Sequence, residues 1–176
     1  VGHLSADSVD DGTDSGTYIA SNSSRLGFSG NHELGNGMKA LFQLESGVDL
    51  TGQGGNDGNG PTVADNSSVF TAARDSYVGL SGGFGTVLAG KLGGLNQWLY
   101  DYNLFGDQVG DLGNVWGSSG LPGRVNNALH YRTADLSGFS LGLSYVPDED
   151  PAVTTDAMIV KGDFISGGLK VGAAYT

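Results

Sequence analysis

Cysteine is absent from the chain, and basic residues and long apolar runs are scarce. Without cysteine among its 176 residues, the chain has no disulfide, thiolate metal site or cysteine nucleophile. The count of lysine and arginine is 8 against 19 aspartates and glutamates, which gives a formal net charge of −11. Because binding to nucleic acid requires a basic patch that contacts the phosphates, we expect no nucleic-acid partner.

Apolar runs are too short for a transmembrane helix, which needs about 18 consecutive apolar residues. No charged and then apolar signal peptide opens the chain at Val1, so we interpret the sequence as a mature or truncated chain. Hydrophobic residues make up only 38% of the sequence, whereas glycine is abundant at 32 residues. A membrane protein can be this polar if it is a β-barrel, because only alternate residues of each strand face lipid.

Short runs of alternating apolar and polar residues recur along the chain. Residues 24–34 and 38–50 alternate in this way on either side of Gly35-Asn36-Gly37, which favours a tight turn and hence a β-hairpin. Three further hairpins of the same kind are expected at residues 76–81 with 86–93, 125–133 with 139–146, and 156–164 with 169–175. With residues 1–6 as the end of an earlier strand, the pattern predicts about nine antiparallel strands and no helix.

Alternation also assigns the side chains of each strand to one of two faces. The residues expected to face lipid are Phe28, Phe42, Leu44, Val78 and Leu80. The residues expected to face a lumen are Ser29, Lys39, Gln43, Glu45 and Tyr77.

The connections between strands alternate between short and long. The long ones comprise residues 7–22, 51–71, 94–123 and 147–155. Short turns at one rim and long polar loops at the other are typical of an outer-membrane barrel, whereas a soluble β-sandwich, the alternative, has no reason to separate them. The sequence therefore predicts an all-β fold, a transmembrane antiparallel up-and-down β-barrel.

Three segments resemble the proteobacterial general porins of Gram-negative bacteria. SSRLGFSGNHELGNGMKALFQLESG (residues 23–47) is similar to the second and third strands of that family, SYVGLSGGFGTVLAGK (residues 76–91) to the next hairpin, and RVNNALHYRTADLSGFSLGLSY (residues 124–145) to the pair after the third loop. The resemblance implies an outer-membrane homotrimer of barrels with about 16 strands each, surrounded by lipid and lipopolysaccharide. Residues 1–176 would then form one porin domain, incomplete at both ends and about half a barrel.

The same resemblance implies a channel for passive diffusion of small hydrophilic solutes and ions. Residues 94–123 occupy the place of the inward constriction loop, and we expect them to pack against the inside wall. Arginines at the places of Arg25 and Arg124 belong to a basic strip on the pore wall of similar porins. An outer-membrane barrel with a structural or adhesive role and a blocked lumen is the alternative.

Charged residues on polar faces or in that loop are the candidate pore-lining residues. They are Arg25, Lys39, Arg74, Asp101, Asp107 and Arg124. Strict alternation places Arg74 on the lipid side with Val78 and Leu80, unless a bulge or a late strand start intervenes. The alternative for all six is ordinary charge at a rim, a lumen wall or a solvated loop. Aromatic residues of the loop, such as Trp98 and Tyr102, are expected to pack against the wall.

No pattern indicates an enzyme or a bound cofactor. His3, His32 and His130 are isolated, and no nucleophile elbow or paired-histidine metal motif accompanies them. Residues 7–14 are rich in oxygen ligands but lack the spacing of an EF-hand. We interpret them as a solvated acidic loop, with adventitious binding of calcium as the alternative, and we expect no catalytic residue, cofactor or built metal site.

Overall fold

A computed structural model describes residues 2–6, 17–21, 24–48, 69–105, 123–147 and 156–176. Almost all of these residues belong to β-strands. The strands are β1 (Gly2–Ala6), β2 (Thr17–Ser21), β3 (Arg25–Gly35), β4 (Met38–Val48), β5 (Phe70–Ala73), β6 (Ser76–Gly82), β7 (Gly85–Gly93), β8 (Arg124–Arg132), β9 (Phe139–Val146), β10 (Ala157–Ser166) and β11 (Leu169–Tyr175). Helix α1 (Leu95–Leu99) and a 3₁₀ turn (Tyr100–Tyr102) follow β7.

Nine of the described strands form one antiparallel sheet. Its order is β11-β10-β9-β8-β7-β6-β4-β3, and β5 pairs with β4. Apart from the short β5, strands that follow one another along the chain are thus neighbours in the sheet, which confirms the up-and-down arrangement predicted from the sequence. β1 and β2 pair with each other in a separate two-stranded sheet.

The chain divides into two compact units. The first comprises Val1–Phe28 and Glu45–Arg74, and the second comprises Ser29–Leu44 and Asp75–Thr176. In the first unit, Ser46 lies opposite Ala73 where β5 pairs with the end of β4. In the second unit, antiparallel pairing runs without interruption in order from β6 to β11.

Three details of the predicted element pattern are wrong. β2 lies within residues 7–22 and β5 begins within residues 51–71, both of which were predicted to be loops. These strands have 5 and 4 residues, which is too short for alternation to stand out from the surrounding polar sequence. Helix α1 was also missed, because five residues are too few to show a helical period.

The sheet of the second unit has one apolar and one polar face. Phe42 lies opposite Val78, and in the next rung Gln43 lies opposite Tyr77, whose hydroxyl donates to Gln43 Oε1 at 3.2 Å. Because directly opposed residues share a face, these two rungs place the two pairs on opposite faces, as alternation predicts. The apolar face continues through Leu129, Leu143 and Val160, and the polar face through His130, Ser144, Lys161 and Asp163.

Burial on these two faces is the reverse of what a water-soluble protein shows. Phe42 and Val78 on the apolar face are 45% and 64% exposed, whereas Ser144 on the polar face is 5% exposed. A contiguous exposed apolar surface of this kind requires apolar surroundings or a partner. No helix among the described residues is long and apolar enough to cross a membrane.

Gly85 should be the most sensitive position of the turn between β6 and β7. Its φ is +107°, and an added Cβ would lie 2.9 Å from the Ala134 nitrogen. We expect Gly85→Ala to lower the free energy of unfolding of the whole protein by about 1–3 kcal/mol, because it combines a strained φ with a close contact. Unfolding in urea after refolding in detergent measures this change.

Gly83→Ala is the matched control, because Gly83 lies in the same turn and an added Cβ there meets no atom within 4 Å. Its effect should stay below about 0.5 kcal/mol. Equal effects of the two substitutions would contradict the strain argument.

Candidate functional site

Helix α1 packs on the polar face of the second unit. Leu95 and Trp98 of the helix form a buried cluster with Ile159 of β10, and these residues are 7%, 8% and 3% exposed. Ile159 lies opposite Ser144 in the register, so it belongs to the polar face. The Gly94 N–H donates to the Gly123 carbonyl at 2.6 Å, which joins the two ends of the segment 94–123 beside β7 and β8. The described start of this segment therefore contacts the polar face.

The Asp163 carboxylate holds the start of the segment 94–123 on the polar face. Trp98 Nε1 donates to Asp163 Oδ1 at 3.1 Å, and the Tyr102 hydroxyl donates to the same oxygen. The two rings meet edge to face with their centroids 5.1 Å apart. Burial, and then the hydrogen bond to Asp163, raise the pKa of Tyr102 well above its ordinary value. Tyr102 is therefore a neutral hydrogen-bond donor throughout the physiological pH range.

Two residues of β11 complete the contact. Gly172 lies opposite Asp163, and an added Cβ there would lie 2.8 Å from Trp98 Cζ2 and overlap the Tyr102 hydroxyl. The Lys170 ammonium lies 4.5 Å from the centroid of the Tyr102 ring and donates to the Asp101 carbonyl at 3.3 Å. We call Trp98, Tyr102, Asp163, Lys170 and Gly172 the loop anchor.

An ion pair lies where the chain returns from the segment 94–123 to the sheet. Arg124, the first residue of β8, donates from Nε to Asp75 Oδ1 at 2.8 Å. The arginine side chain is only 6% exposed and the aspartate side chain is 34% exposed. Because the two charges cancel at a distance, the pair acts as a local dipole rather than as an isolated positive charge.

A second arginine pairs with a carboxylate within the first unit. Arg74 lies between β5 and β6, its backbone N–H donates to the Glu45 carbonyl at 2.9 Å, and its guanidinium donates to the Glu45 carboxylate. Strict alternation from β6 would put Arg74 on the side of Val78 and Leu80 unless the strand starts late. β6 begins only at Ser76, so the strand interruption at residues 74–75 lets the side chain turn to Glu45.

Three further predicted residues that the structure describes are exposed. Lys39 forms an exposed ion pair with Glu33 at 2.8 Å, and Arg25 is the exposed first residue of β3. Asp101 is exposed in the 3₁₀ turn. Asp107 lies outside the described residues, as do residues 7–14, for which calcium binding was the alternative. Within the described ranges, no group of three or more acidic or histidine side chains forms a metal site.

The partners of these residues were not assigned from the sequence. Asp75 and Asp163 were not named, although Asp163 falls two residues after Lys161 and so on the same face of β10. The sequence pattern that could have identified Asp163 is a carboxylate at a polar position of a predicted strand. The prediction that loop aromatics pack against the wall is confirmed for Trp98 and Tyr102.

Known proteins that resemble this chain in sequence and in structure are outer-membrane porins. A family model described as Gram-negative porin matches residues 1–176. Major outer membrane protein P.IB of Neisseria gonorrhoeae is 35% identical over 142 residues, which cover 78% of this chain and 36% of that protein. Outer membrane porin protein 32 of Delftia acidovorans is 35% identical over 162 residues, which cover 86% of this chain and 41% of that protein. The chain thus spans less than half the length of these two relatives.

Solved porin structures also resemble this chain. The anion-selective porin from Comamonas acidovorans matches with a TM-score of 0.65 and 30% identity, over 93% of this chain and 50% of that one. OmpF from Salmonella typhi, solved with daunomycin, matches with a TM-score of 0.68 over 99% of this chain and 50% of that one. At 18% identity, the OmpF match shows the fold alone.

Loss of the Asp163 carboxylate should release the loop anchor. In a Trp116→Phe background, which leaves Trp98 as the single tryptophan of this chain, we expect Asp163→Ala to shift the Trp98 emission to longer wavelength and to increase its quenching by acrylamide. The free energy of unfolding should fall by about 1–3 kcal/mol, because two donors lose their acceptor.

Asp156→Ala is the control, since it removes a carboxylate that accepts from the Tyr145 hydroxyl at 2.7 Å, away from the anchor. Unchanged Trp98 emission in Asp163→Ala would show that Asp163 does not hold the segment.

Proposed function

The chain belongs to the Gram-negative porin family, and from that premise we propose that the whole protein forms a water-filled channel in the outer membrane for passive diffusion of small hydrophilic solutes and ions. The observation that carries this proposal is the reversed burial of the sheet. An exposed apolar face suits lipid, and a face with serine, histidine, lysine and aspartate suits a water-filled lumen. We further propose that the protein has no enzymatic activity.

Residues 94–123 are proposed to be the constriction of this channel. The loop anchor supports this role, because it holds Trp98 and Tyr102 against the polar face instead of leaving them at the rim. A segment that lies on the lumen wall narrows the path for solutes. Asp101 and Asp107 are proposed to contribute negative charge there.

Arg25, Lys39, Arg74 and Arg124 are proposed to line the channel. Two of them, Arg74 and Arg124, are the buried members of ion pairs with Glu45 and Asp75. Because each pair is neutral overall, we expect a local field at each pair and only a mild preference between anions and cations. The net charge of −11 belongs to the whole chain, and water and salt screen the part of it that lies in solvated loops.

We propose that the channel is a homotrimer that contacts lipid and lipopolysaccharide through its apolar surface. The exposed apolar residues of the described strands support a partner of this kind, since they need either lipid or another subunit against them. Migration of the unheated protein on denaturing gels as a species three times the monomer mass tests the assembly.

The whole protein in planar lipid bilayers should produce ohmic conductance steps on the nanosiemens scale. A water-filled lumen carries ions in proportion to voltage, whereas a structural or adhesive barrel with a blocked lumen gives no steps. Absence of conductance from correctly folded trimers would therefore favour that alternative.

Gly172→Val tests the constriction in the same assay. It should displace Trp98 and Tyr102 and increase the mean conductance, because a Cβ at Gly172 overlaps the anchor. Ala173→Val is the control, since Ala173 lies on the opposite face of β11, across from Gly162. Equal conductance of the two variants would contradict the proposed constriction.

The Arg124–Asp75 pair should control ion preference with opposite signs. Under a salt gradient, Arg124→Gln should shift the reversal potential toward cation selectivity, because it leaves Asp75 unneutralised. Asp75→Asn should shift it toward anion selectivity, because it removes the negative charge that lies 2.8 Å from Arg124 Nε. Both shifts should grow as salt is lowered, since screening weakens. Shifts of the same sign, or none at low salt, would show that the pair does not line the ion path.

A further inference from the structure

A group of basic side chains lies on the polar face of β8 and β10, on either side of β9 and next to the loop anchor. In the register, Arg132 and Lys161 both lie opposite Gly142, from its two sides. His130 lies two residues before Arg132 on the same face, opposite Ser144. We call Arg132, Lys161, His130 and Gly142 the basic cluster.

The missing side chain of Gly142 brings these groups together. A Cβ at Gly142 would lie 2.7 Å from Lys161 Cε, 2.9 Å from Lys161 Cγ and 3.4 Å from His130 Cε1. The aliphatic part of Lys161 therefore lies over the backbone of β9 and points away from its own strand toward β8. Any larger residue at position 142 would displace it, so the position of the Lys161 ammonium depends on this glycine.

Neutral groups, rather than carboxylates, hydrogen-bond to the cluster. Arg132 Nη2 donates to Ser140 Oγ at 3.1 Å, and His130 Nδ1 lies 2.8 Å from Ser144 Oγ. None of the three ion pairs within the described ranges includes Arg132 or Lys161. The carboxylates of Asp163 and Asp101 are near enough to act on Lys161. The oxygens of Asp163 accept hydrogen bonds from Trp98 and Tyr102.

Two positive charges thus lie close together, and neither forms an ion pair within the described ranges. The charge of Arg132 acts on Lys161, and both charges act on the His130 ring. Asp163 and Asp101 oppose this repulsion at Lys161 from one side, and an anion between the guanidinium and the ammonium would oppose it directly. A planar guanidinium suits two oxygens of one group, and an ammonium adds up to three donors. Ser144 engages Nδ1 of His130 and leaves Nε2 as the remaining ring nitrogen.

We propose that the basic cluster binds a small oxyanion, a carboxylate or a phosphate, on the wall of the channel. Arg132 and Lys161 supply charge-assisted hydrogen bonds, and His130 borders the site. The proposal rests on the proposed function, because a water-filled lumen is what gives a solute access to this face. It adds to that function a site on the channel wall where an oxyanion binds transiently during diffusion.

Nuclear magnetic resonance of the whole protein in detergent micelles, with labelled histidine, tests the site. The His130 signal is assigned with His130→Gln, and orthophosphate, succinate and chloride are added separately at constant ionic strength. We expect a saturable change in the His130 signal with the oxyanions and none with chloride. Lys161→Met, which keeps an aliphatic side chain over Gly142, should raise the dissociation constant roughly tenfold through loss of a charge-assisted bond.

Lys91→Met is the charge-matched control. It also removes one lysine of the second unit, whose ammonium donates to Asn126 Oδ1 at 3.1 Å, and it should leave the dissociation constant unchanged. A response to only one of the two oxyanions supports the site and identifies its ligand class. No saturable response to either oxyanion, an equal response to chloride, or equal weakening by Lys91→Met would overturn it.

The micelle measurement needs no ion current, so it separates this proposal from the proposed channel. A protein that conducts ions and binds neither oxyanion refutes the binding site alone. A protein that binds an oxyanion and conducts no ions refutes the channel alone and supports the site.

Discussion

The register of the strands is the constraint on which the rest of this structure depends. Side chains alternate between two faces with a period of two, so a slip by one residue would exchange the faces completely. In the second unit such a slip would move Phe42 to the face of Tyr77 and Gln43 to the face of Val78. The turn between β3 and β4 specifies the register, because Asn36 and Gly37 adopt φ of 50° and 73°, as a two-residue hairpin turn requires.

Once the register has assigned the two faces, the polar face has to accommodate large side chains without steric overlap. Two glycines of that face provide the space. Gly172 leaves room for Trp98 and Tyr102 of the loop anchor, and Gly142 leaves room for the aliphatic part of Lys161. The local abundance of glycine therefore has a steric cause on this face, in addition to the turns where glycine supplies a positive φ. The same two positions decide where the start of the segment after β7 lies and where the Lys161 ammonium lies.

The electrostatic potential of the polar face depends on individual ion pairs rather than on the net charge of the chain. A net charge of −11 would suggest a cation-attracting protein, yet the buried arginines of β8 and of the β5–β6 interruption pair with Asp75 and Glu45. Arg132 and Lys161 instead form no ion pair within the described ranges. Ser140 accepts from Arg132, and Lys161 lies over Gly142 with Asp163 and Asp101 near enough to act on it. Pairing, rather than the count of charges, therefore determines which part of the polar face is positive.

The sequence by itself determined the all-β meander, its hairpins, the two faces and the family, because alternation with a period of two and the residues of tight turns are local properties. It also indicated that Trp98 and Tyr102 contact the wall. Only the tertiary structure decided that Arg74 turns to Glu45, that Arg124 meets Asp75, and that Asp163 holds the segment after β7. These partners lie 29, 49 and 65 residues apart, and no local pattern encodes which distant carboxylate a given arginine or indole will reach.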